Sequence, residues 1–464
     1  MSSLSMPDTL PFHAARRVIE RLRAQGYAAY LAGGCVRDLL LGHTPHDYDV
    51  ATNAKPEVVL DLFPQTFAVG AHFGVVLVAE EPEASSGQRI LTEVATFRTD
   101  GAYLDGRRPE QVLFADRAED DVKRRDFTIN GLLLDLDRWQ HCGSLNEAVI
   151  DYVGGRADLA AGVIRAIGRA RERFTEDKLR MLRAIRFCAR LGYELEPQTA
   201  QAIHELAPGI VQVSQERVRD ELTRMLTEGH AGRAFEALEA TGLLAEVLPE
   251  VARLRGVEQP PQYHPEGDVW THTLLLLEGL EADCPPTLAW GALLHDIGKP
   301  ATFERAADRI RFHGHAAMGE KIAAEICARL RFSHAQTEQI LALVANHMRF
   351  GEVERMKPST LKRFFRLEHF EQHLELHRLD AQAGRRDLSC YFYAKAQYEA
   401  TPAVCLRPSL LVTGGDLISA GYRPGPQFRG WLALAEDAQL EGRITSLAEG
   451  LELIAKAADG SASC

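Results

Sequence analysis

The sequence predicts an α+β fold, in which an N-terminal domain with a small mixed or antiparallel sheet precedes helical domains. Three observations favour this class. Residues 67–79 and 90–97 are rich in β-formers and alternate with short helical segments, not with regular crossover helices. From residue 230 onward the chain is helix-rich. Its 464 residues are too many for one hydrophobic core, so several domains are expected.

Composition and charge predict an ordinary globular chain, with 46% hydrophobic and 25% charged residues. The net charge of −12 argues against a protein that coats nucleic acid uniformly, but it leaves room for a local basic groove. The eight cysteines are scattered without a CxxC pair, which favours reduced thiols and a cytoplasmic location over a zinc-thiolate site. No apolar run reaches the length of a membrane span, and no secretion signal is recognisable.

The most informative stretch is residues 31–52, LAGGCVRDLLLGHTPHDYDVAT. Asp47 and Asp49 are predicted to lie in a strand, where residues two apart share a face, so their like charges need a cation. Magnesium, which favours oxygen ligands and substrate phosphates, is the expected ion. Gly34 allows backbone amides to approach a phosphate, and Arg37 can neutralise it. The alternative is a glycine-rich turn followed by two solvated aspartates.

The neighbouring segments add further elements. Residues 11–25 and 55–62 have helical spacing. Glu93 falls on a β-rich segment and is a candidate third carboxylate, with a solvated strand residue as the alternative. Residues 98–109 carry glycines, arginines and a tyrosine without periodicity, which predicts a mobile basic loop.

A basic cluster joins an apolar run in residues 121–136, DVKRRDFTINGLLLDL. Arg124 and Arg125 can bind a phosphate or ribose, while Asp126 and Asn130 can supply hydrogen bonds. A solvated helix start is the alternative, because charge runs are commonly exposed.

Positive charge concentrates between residues 161 and 192, which contain nine Lys or Arg against three Asp or Glu. In FTEDKLRMLRAIRF, Thr175 is predicted to cap a helix, with Asp177 in its first turn. Asp177 and Arg180 would then neighbour each other on one face and could hydrogen-bond the edge of cytosine or adenine. An ordinary ion pair between them is the alternative.

The C-terminal half repeats histidines and aspartates in helical contexts. Neutral imidazoles and carboxylates bind divalent transition metals such as Mn, Ni, Co or Fe, and such a metal can activate water for phosphate-ester hydrolysis. Six residues in suitable order are less easily explained as separate core or surface side chains. The predicted ligands are His272, His295, Asp296, His315, His347 and Asp380.

Five motifs spread over residues 28–226 resemble those of class II tRNA nucleotidyltransferases and the related bacterial poly(A) polymerases. They are GGCVRDLLLG…HDYDVAT, RRDFTIN, IDYVGGRADL, EDKLRMLRAIRF and ERVRDELTRML. The resemblance implies a polymerase-beta-like nucleotidyltransferase head in which Asp47 and Asp49 are catalytic and bind Mg²⁺. In such proteins the fourth motif selects CTP or ATP, which implies that Asp177 and Arg180 contact the base. The implied nucleotide-binding residues are Gly34, Arg37, Arg125, Asp126, Asn130, Asp177, Arg180, Arg183 and Arg186.

The histidine pattern H…HD…H…H…D resembles the HD-domain phosphohydrolases. The resemblance implies a principal metal site formed by His272, His295, Asp296 and Asp380. His315 and His347 would complete a second site. In bacterial relatives such domains act on 2′,3′-cyclic phosphates and 2′-nucleotides.

Together these resemblances imply a head at 1–150, a nucleotide-selecting neck at 151–230, an HD domain at 231–395 and a tRNA-contacting tail at 396–464. The Ala/Ser/Gly-rich end from residue 457 is expected to fray. The implied activity is addition of CCA to tRNA from CTP and ATP, with accessory phosphohydrolysis. An enzyme that adds only the terminal adenosine, a poly(A) polymerase and an RNA-binding HD phosphodiesterase are the alternatives. The oligomeric state, monomer or homodimer, stays open.

Overall fold

The computed structural model describes residues 6–70, 74–80, 89–100, 112–307 and 309–461. The chain divides into two compact units, Met1–Pro249 and Glu250–Cys464. The predicted basic loop at 98–109 falls outside the described residues from position 101 onward.

The first unit combines strands and helices. Its strands are β1 (Ala29–Ala32), β2 (Asp49–Thr52), β3 (Thr66–Gly70), β4 (Val75–Glu80), β5 (Ile90–Thr96), β6 (Arg98–Asp100), β7 (Val112–Phe114), β8 (Leu132–Leu134), β9 (Val149–Asp151), β10 (Val163–Ile164) and β11 (Glu194–Leu195). Its helices are α1 (Leu10–Ala24), α2 (Gly34–Leu40), α3 (Pro56–Leu62), α4 (Ala118–Lys123), α5 (Leu136–Cys142), α6 (Leu145–Ala148), α7 (Gly155–Ala161), α8 (Ala170–Glu176), α9 (Leu179–Leu191), α10 (Pro197–Leu206), α11 (Gln215–Thr227), α12 (Ala231–Ala240) and α13 (Leu243–Val247).

The second unit is almost entirely helical. Its helices are α14 (Pro249–Ala252, which begins at the boundary), α15 (Val269–Glu278), α16 (Pro286–Leu294), α17 (His315–Arg329), α18 (His334–Asn346), α19 (Pro358–Phe364), α20 (Phe370–Ala383), α21 (Ser389–Ala400), α22 (Ala403–Leu406), α23 (Gly414–Ser419), α24 (Gln427–Leu440) and α25 (Leu447–Ser461). A short hairpin, β12 (Glu304–Arg305) and β13 (Ile310–Arg311), interrupts them.

A mixed sheet organises the first unit, with strand order β3-β4-β5-β2-β1-β8-β9. Only β2 and β5 pair in parallel among the strands of this sheet in the described residues; the other neighbours are antiparallel. Strand β5 reaches β2 in the register Val50↔Val94, so Asp49 and Glu93 occupy equivalent positions on adjacent strands. The predicted α+β class is confirmed.

The structure corrects the placement of Asp47, which lies before β2 and not within it. The last residue of β1, Ala32, already pairs with Asp49. Gly33 follows with φ 77° and turns the chain into α2, so no residue of β1 remains to pair with Asp47.

The predicted start of the neck helix is also wrong. Thr175 lies inside α8, and its hydroxyl donates to the Arg171 carbonyl. The backbone of Asp177 is extended (φ −139°, ψ 105°) and ends α8, while its carboxylate accepts from the Leu179 amide at 3.1 Å. Asp177 therefore occupies a break between two helices, and it shares no helical face with Arg180.

Helix α25 continues to Ser461 and so includes the first residues of the segment that was expected to fray. Ile454 on this helix is fully buried and packs with Val412 and Leu417. Burial of this apolar face stabilises the helix against fraying. None of the helices in the described ranges combines the length and the apolar character that crossing a membrane requires.

Gly155 marks the closest approach of α7 to the turn at Thr128. A Cβ atom at position 155 would lie 2.1 Å from the Thr128 carbonyl oxygen. We predict that Gly155→Ala lowers the free energy of unfolding by about 3 kcal/mol, because backbone atoms cannot yield as a side chain does. Thermal unfolding followed by circular dichroism measures the effect. The matched change Gly430→Ala, in a helix with open space around it, should instead stabilise by about 0.5–1 kcal/mol; equal effects at both positions would contradict the packing argument.

Candidate active sites

A pocket of about 680 Å³ opens beside the sheet of the first unit. Three carboxylates line it: Asp47 just before β2, Asp49 at the start of β2, and Glu93 on β5. Nine arginines line the same pocket: Arg37, Arg98, Arg124, Arg125, Arg180, Arg183, Arg186, Arg190 and Arg224. Acidic groups that can hold a cation thus face guanidinium groups that can bind phosphates.

The carboxylates repel one another. Burial, Glu93 and Asp47 together raise the pKa of Asp49 to about 7, although the positive charge of Arg125 opposes the shift. The pKa of Glu93 is raised by burial and by Asp47. Three neighbouring carboxylates whose negative charges repel one another fit a hard divalent cation, which would relieve the repulsion.

Two of the predicted phosphate-binding arginines are buried and held by other side chains. Arg37 donates to the Asn130 side-chain oxygen at 2.7 Å and to Asp38 at 2.8 Å. Arg186 donates to Glu221 at 2.7 Å. These contacts fix the pocket wall, because breaking a buried ion pair leaves an uncompensated charge.

Arg125 and Arg183 are partly exposed in the pocket, at 18% and 30% of their side chains. Arg125 pairs with Asp121 at 3.0 Å. Its positive charge also opposes the rise in the pKa of Asp49 and Glu93. Both Arg183 and Asn130 contact Asp126. Burial alone would raise the pKa of Asp126, but the Arg183 pair holds it below its usual value. The Asp126 carboxylate therefore orients Arg183 toward the pocket.

The structure brings every predicted residue of this site to the pocket except Asp177. The Asp177 carboxylate pairs with Arg217 of α11 at 2.9 Å. Arg180 does line the pocket, where it pairs with Glu176 at 2.8 Å and donates to the Arg124 carbonyl at 3.0 Å.

Three arginines that line the pocket were not predicted as nucleotide-binding candidates: Arg98, Arg190 and Arg224. Arg190 continues the three-to-four-residue spacing of Arg183 and Arg186 along α9. Helical periodicity therefore predicts that it lies on the same face of α9 as these two arginines. Arg224 comes from α11, and no local pattern links it to the pocket.

In the second unit the six predicted metal ligands come together. Asp296 lies at the centre: its Oδ2 is 3.2 Å from His295 Nε2, and its Oδ1 is 3.5 Å from His315 Nε2 and 3.7 Å from His347 Nε2. His272 Nε2 lies 3.1 Å from Asp380 Oδ1. The groups His272–His295–Asp296 and Asp296–His315–His347 each have the spacing of a metal site.

The four imidazoles are oriented alike. The Nδ1 atoms of His295, His315 and His347 contact backbone carbonyls at 2.7–3.0 Å, and Nδ1 of His272 contacts Glu266 at 2.7 Å. Carbonyl oxygens accept hydrogen bonds, so Nδ1 of His295, His315 and His347 carries a proton, and Nε2 of each ring faces the centre. The Nε2 atoms of His272 and His295 are buried, and each has a carboxylate oxygen within 3.2 Å. This donor set fits divalent transition metals.

The electrostatics favour the metal-binding protonation state at some of these donors but not at His272. Burial opposes protonation of His272, but its hydrogen bonds with Asp380 and Glu266 raise its pKa to about 9, so its imidazole must lose a proton when a metal binds. Burial lowers the pKa of His347 to about 4, so its imidazole is neutral at pH 7. Burial alone would raise the pKa of Asp296, but His295 and Lys299 hold it well below its usual value. A neutral imidazole and an ionised carboxylate are the forms that coordinate metals.

Two supporting residues of this cluster were not predicted. Glu266 orients His272, and it precedes the first ligand within the segment HPEGDVWTH. Lys299 donates to Asp296 at 2.6 Å and to Gln259 at 2.6 Å. Lys299 follows Asp296 by three residues in HDIGK, and this helical spacing could have predicted their contact. Gln259 is distant in sequence, so no local pattern could have predicted its contact with Lys299.

Three known families match parts of the chain. Residues 29–165 match the "Poly A polymerase head domain", residues 192–254 the "Probable RNA and SrmB- binding site of polymerase A", and residues 268–381 the "HD domain".

Similar curated proteins are named CCA-adding enzyme. That of Geobacillus stearothermophilus is 44% identical over 242 residues, covering 52% of this chain and 56% of the relative. That of Lactiplantibacillus plantarum is 40% identical over 267 residues, covering 57% of this chain and 62% of the relative. The matches therefore span a little over half the length of these curated relatives.

Solved structures extend the similarity over nearly the whole chain. The Bacillus stearothermophilus CCA-adding enzyme in complex with CTP has a TM-score of 0.73 at 26% identity, covering 98% of this chain and 100% of that one. The Thermotoga maritima CCA-adding enzyme complexed with tRNA shares the fold, with a TM-score of 0.55 at 17% identity, covering 98% and 97%.

The fold and the carboxylate–arginine pocket define a nucleotidyltransferase head followed by an HD domain. The three family matches and the CCA-adding relatives make the chain similar to the bacterial class II nucleotidyltransferases that carry an HD domain. The resemblance predicted from the motifs is confirmed. Both families are metal-dependent, and both units contain side chains suited to divalent cations.

Proposed function

We propose that this protein is a tRNA nucleotidyltransferase that adds the 3′-terminal CCA from CTP and ATP without a nucleic-acid template. The observation that carries the proposal is the pocket in which Asp47, Asp49 and Glu93 face nine arginines. The CTP complex of the Bacillus stearothermophilus relative and the tRNA complex of the Thermotoga maritima relative support these substrates.

Asp47 and Asp49 hold Mg²⁺ in this proposal, with Glu93 as a third donor on the adjacent strand. When bound, Mg²⁺ stabilises the negative charge of the triphosphate and favours an ionised 3′-hydroxyl. The 3′-oxygen of the RNA forms a bond to the α-phosphorus, and the bond to pyrophosphate breaks. Arg125 and Arg183 bind the phosphates, while Gly34, Arg37, Asn130 and Arg186 shape the wall that receives them.

Base selection is assigned to Asp177 and Arg180, as the motif resemblance implies. Asp177 must then leave its pair with Arg217, which holds the carboxylate away from the pocket lining. Once released, the carboxylate accepts from the exocyclic amine of cytosine or adenine, and Arg180 donates to the ring.

The substrate RNA is recognised by shape and phosphate contacts rather than by extensive base reading. We infer a head at 1–150, a neck at 151–230, an HD domain at 231–395 and a tRNA-contacting tail at 396–464. A cytoplasmic location agrees with a tRNA substrate and with the seven free cysteines of the described residues.

The second unit adds a phosphohydrolase activity in this proposal. The observation that carries it is the set of Nε2 atoms aimed at Asp296 and Asp380. These ligands would hold a Mn, Ni, Co or Fe ion, which when bound would supply an activated water and a Lewis acid for the phosphate. Water oxygen then bonds to phosphorus, the ester P–O bond breaks, and a proton passes to the leaving oxygen. Cyclic 2′,3′-phosphates and 2′-nucleotides are the proposed substrates.

Nucleotide incorporation into three tRNA transcripts tests the transferase. The transcripts end before CCA, after C and after CC, and CTP and ATP are supplied singly and together. We expect all three transcripts to reach a complete CCA end. Extension of the CC-ended transcript alone, by one adenosine, would instead identify an A-adding enzyme. Long adenosine tails on an unrelated RNA would identify a poly(A) polymerase.

A further inference from the structure

The HD cluster is reached by solvent mainly at Asp380. This side chain is 27% exposed, whereas that of His315 is 10% exposed and those of His272, His295, Asp296 and His347 are at most 4% exposed. A substrate phosphate must therefore approach the metal ligands past Asp380, and residues that border Asp380 are placed to contact it.

Two segments border this opening. The Gly384 amide, at the end of α20, donates to the Asp380 carbonyl at 3.1 Å. A Cβ atom at Gly384 would lie 3.5 Å from the Tyr263 carbonyl oxygen and 3.8 Å from Glu266 Oε1. The loop that carries Tyr263 and Glu266 thus packs on the end of α20, immediately beside the ligands His272 and Asp380.

Arg385 projects from this junction with its guanidinium group held in place. Its Nε donates to the Gln262 carbonyl at 2.8 Å, and its guanidinium carbon lies 4.0 Å from the centre of the Tyr263 ring. Asp387 is close enough for the Arg385 charge to help lower its pKa, after the hydrogen bonds of Ser389, but no carboxylate forms an ion pair within 4.0 Å of Arg385 in the part of the chain that the structure describes. Its two terminal nitrogens are therefore available to an anion.

We propose that Arg385 binds a non-bridging oxygen of the substrate's phosphate group at the HD site, which makes it a substrate-binding residue. The proposal rests on the phosphohydrolase function proposed for this unit. A planar guanidinium matches two phosphate oxygens at once, and the stacking on Tyr263 limits the rotamer freedom that binding would otherwise cost. The ligand class is a phosphate-ester anion, because metal ions and Arg385 would all attract negative charge.

Tyr263 acts through its ring in this arrangement. The contact with Arg385 is a cation–π contact, which needs the aromatic face and not the hydroxyl. Tyr263→Phe should therefore preserve phosphate binding, whereas Tyr263→Ala should weaken it.

Binding of inorganic phosphate to the Mn²⁺-loaded full-length protein tests the proposal by calorimetry. We expect Arg385→Gln to raise the phosphate Kd about tenfold or more, Arg385→Lys to recover part of the loss, and Tyr263→Phe to match the wild type. Arg355→Gln removes the same charge from an exposed position of this unit and serves as the control. Bound manganese, measured in parallel, should be equal in all variants. The hydrolysis of p-nitrophenyl phosphate should show a raised KM for Arg385→Gln.

Unchanged phosphate affinity in Arg385→Gln, with wild-type metal content, would overturn the assignment of Arg385. An equal loss of phosphate affinity in Arg355→Gln would show that the effect depends only on net charge. That result would also overturn the assignment of Arg385. If the wild type binds manganese and phosphate but hydrolyses no phosphate ester, the proposed hydrolase function fails while the role of Arg385 in phosphate binding is still decided by the affinities.

Discussion

Asp49→Asn is expected to reduce nucleotide incorporation about 10³-fold or more, because a metal ligand in a phosphoryl-transfer site stabilises transition-state charge by several kcal/mol. The change keeps the size of the side chain and removes only its charge. Burial and the neighbouring carboxylates raise the pKa of Asp49 to about 7, so the ionised form opposes folding when no metal is bound. The variant should therefore melt no lower than the metal-free wild type.

Two controls separate the chemistry from folding. Thermal unfolding in the presence of a chelator compares Asp49→Asn with the wild type, and a large drop in melting temperature would point to misfolding. His295→Ala, in the second unit, should leave incorporation into the CC-ended transcript at the wild-type rate. If Asp49→Asn retained that rate as well, the assignment of the transferase site would be wrong.

The parts of the site that lie on consecutive segments were predictable from the sequence. Gly33-Gly34 directly follow β1 and Asp49 begins β2. Because the two strands pair directly, a pattern within 22 residues places both at one pocket. The ligands of the second unit were predictable for a different reason. His295-Asp296 directly follows a buried helix, and His315 begins the next long helix, so their order along the chain matched a known pattern.

Partners chosen by long-range packing were not predictable. Asp177 was expected to pair along its own helix with Arg180, but its partner Arg217 comes 40 residues later, on α11. A polar side chain near a helix start has several acceptable partners, and tertiary packing decides among them. The roles of Arg224 and Gln259 could not be predicted for the same reason, because they depend on elements distant in sequence.

The break between α8 and α9 illustrates how two local signals compete. Thr175 and Asp177 both belong to the residue types that cap helices. The Asp177 carboxylate accepts from the Leu179 amide, and the Thr175 hydroxyl contacts the Arg171 carbonyl of the preceding turn. Sequence alone identifies a capping region here but does not rank the two candidates.

Asp296→Asn is expected to abolish phosphate-ester hydrolysis and to remove bound metal from the whole second-unit cluster. Asp296 is the one ligand in the described cluster that faces both halves: Oδ2 points to His295, and Oδ1 points to His315 and His347. Asn keeps an oxygen that can accept from Lys299, so the buried ammonium retains a partner and the fold should persist. Incorporation of nucleotides should be unchanged.

The variant His347→Gln tests whether Asp296 is a ligand shared by the two metal-binding groups. It removes a donor from the group that includes His315 and leaves His272, His295 and Asp380 in place. Metal analysis of the purified proteins should show partial loss in His347→Gln and nearly complete loss in Asp296→Asn. Equal losses would mean that the two ligand groups bind metal only as a unit, whereas full metal content in Asp296→Asn would falsify its bridging role. Because Asp296 contributes one oxygen to each group, its charge couples them, and the larger effect is expected at this residue.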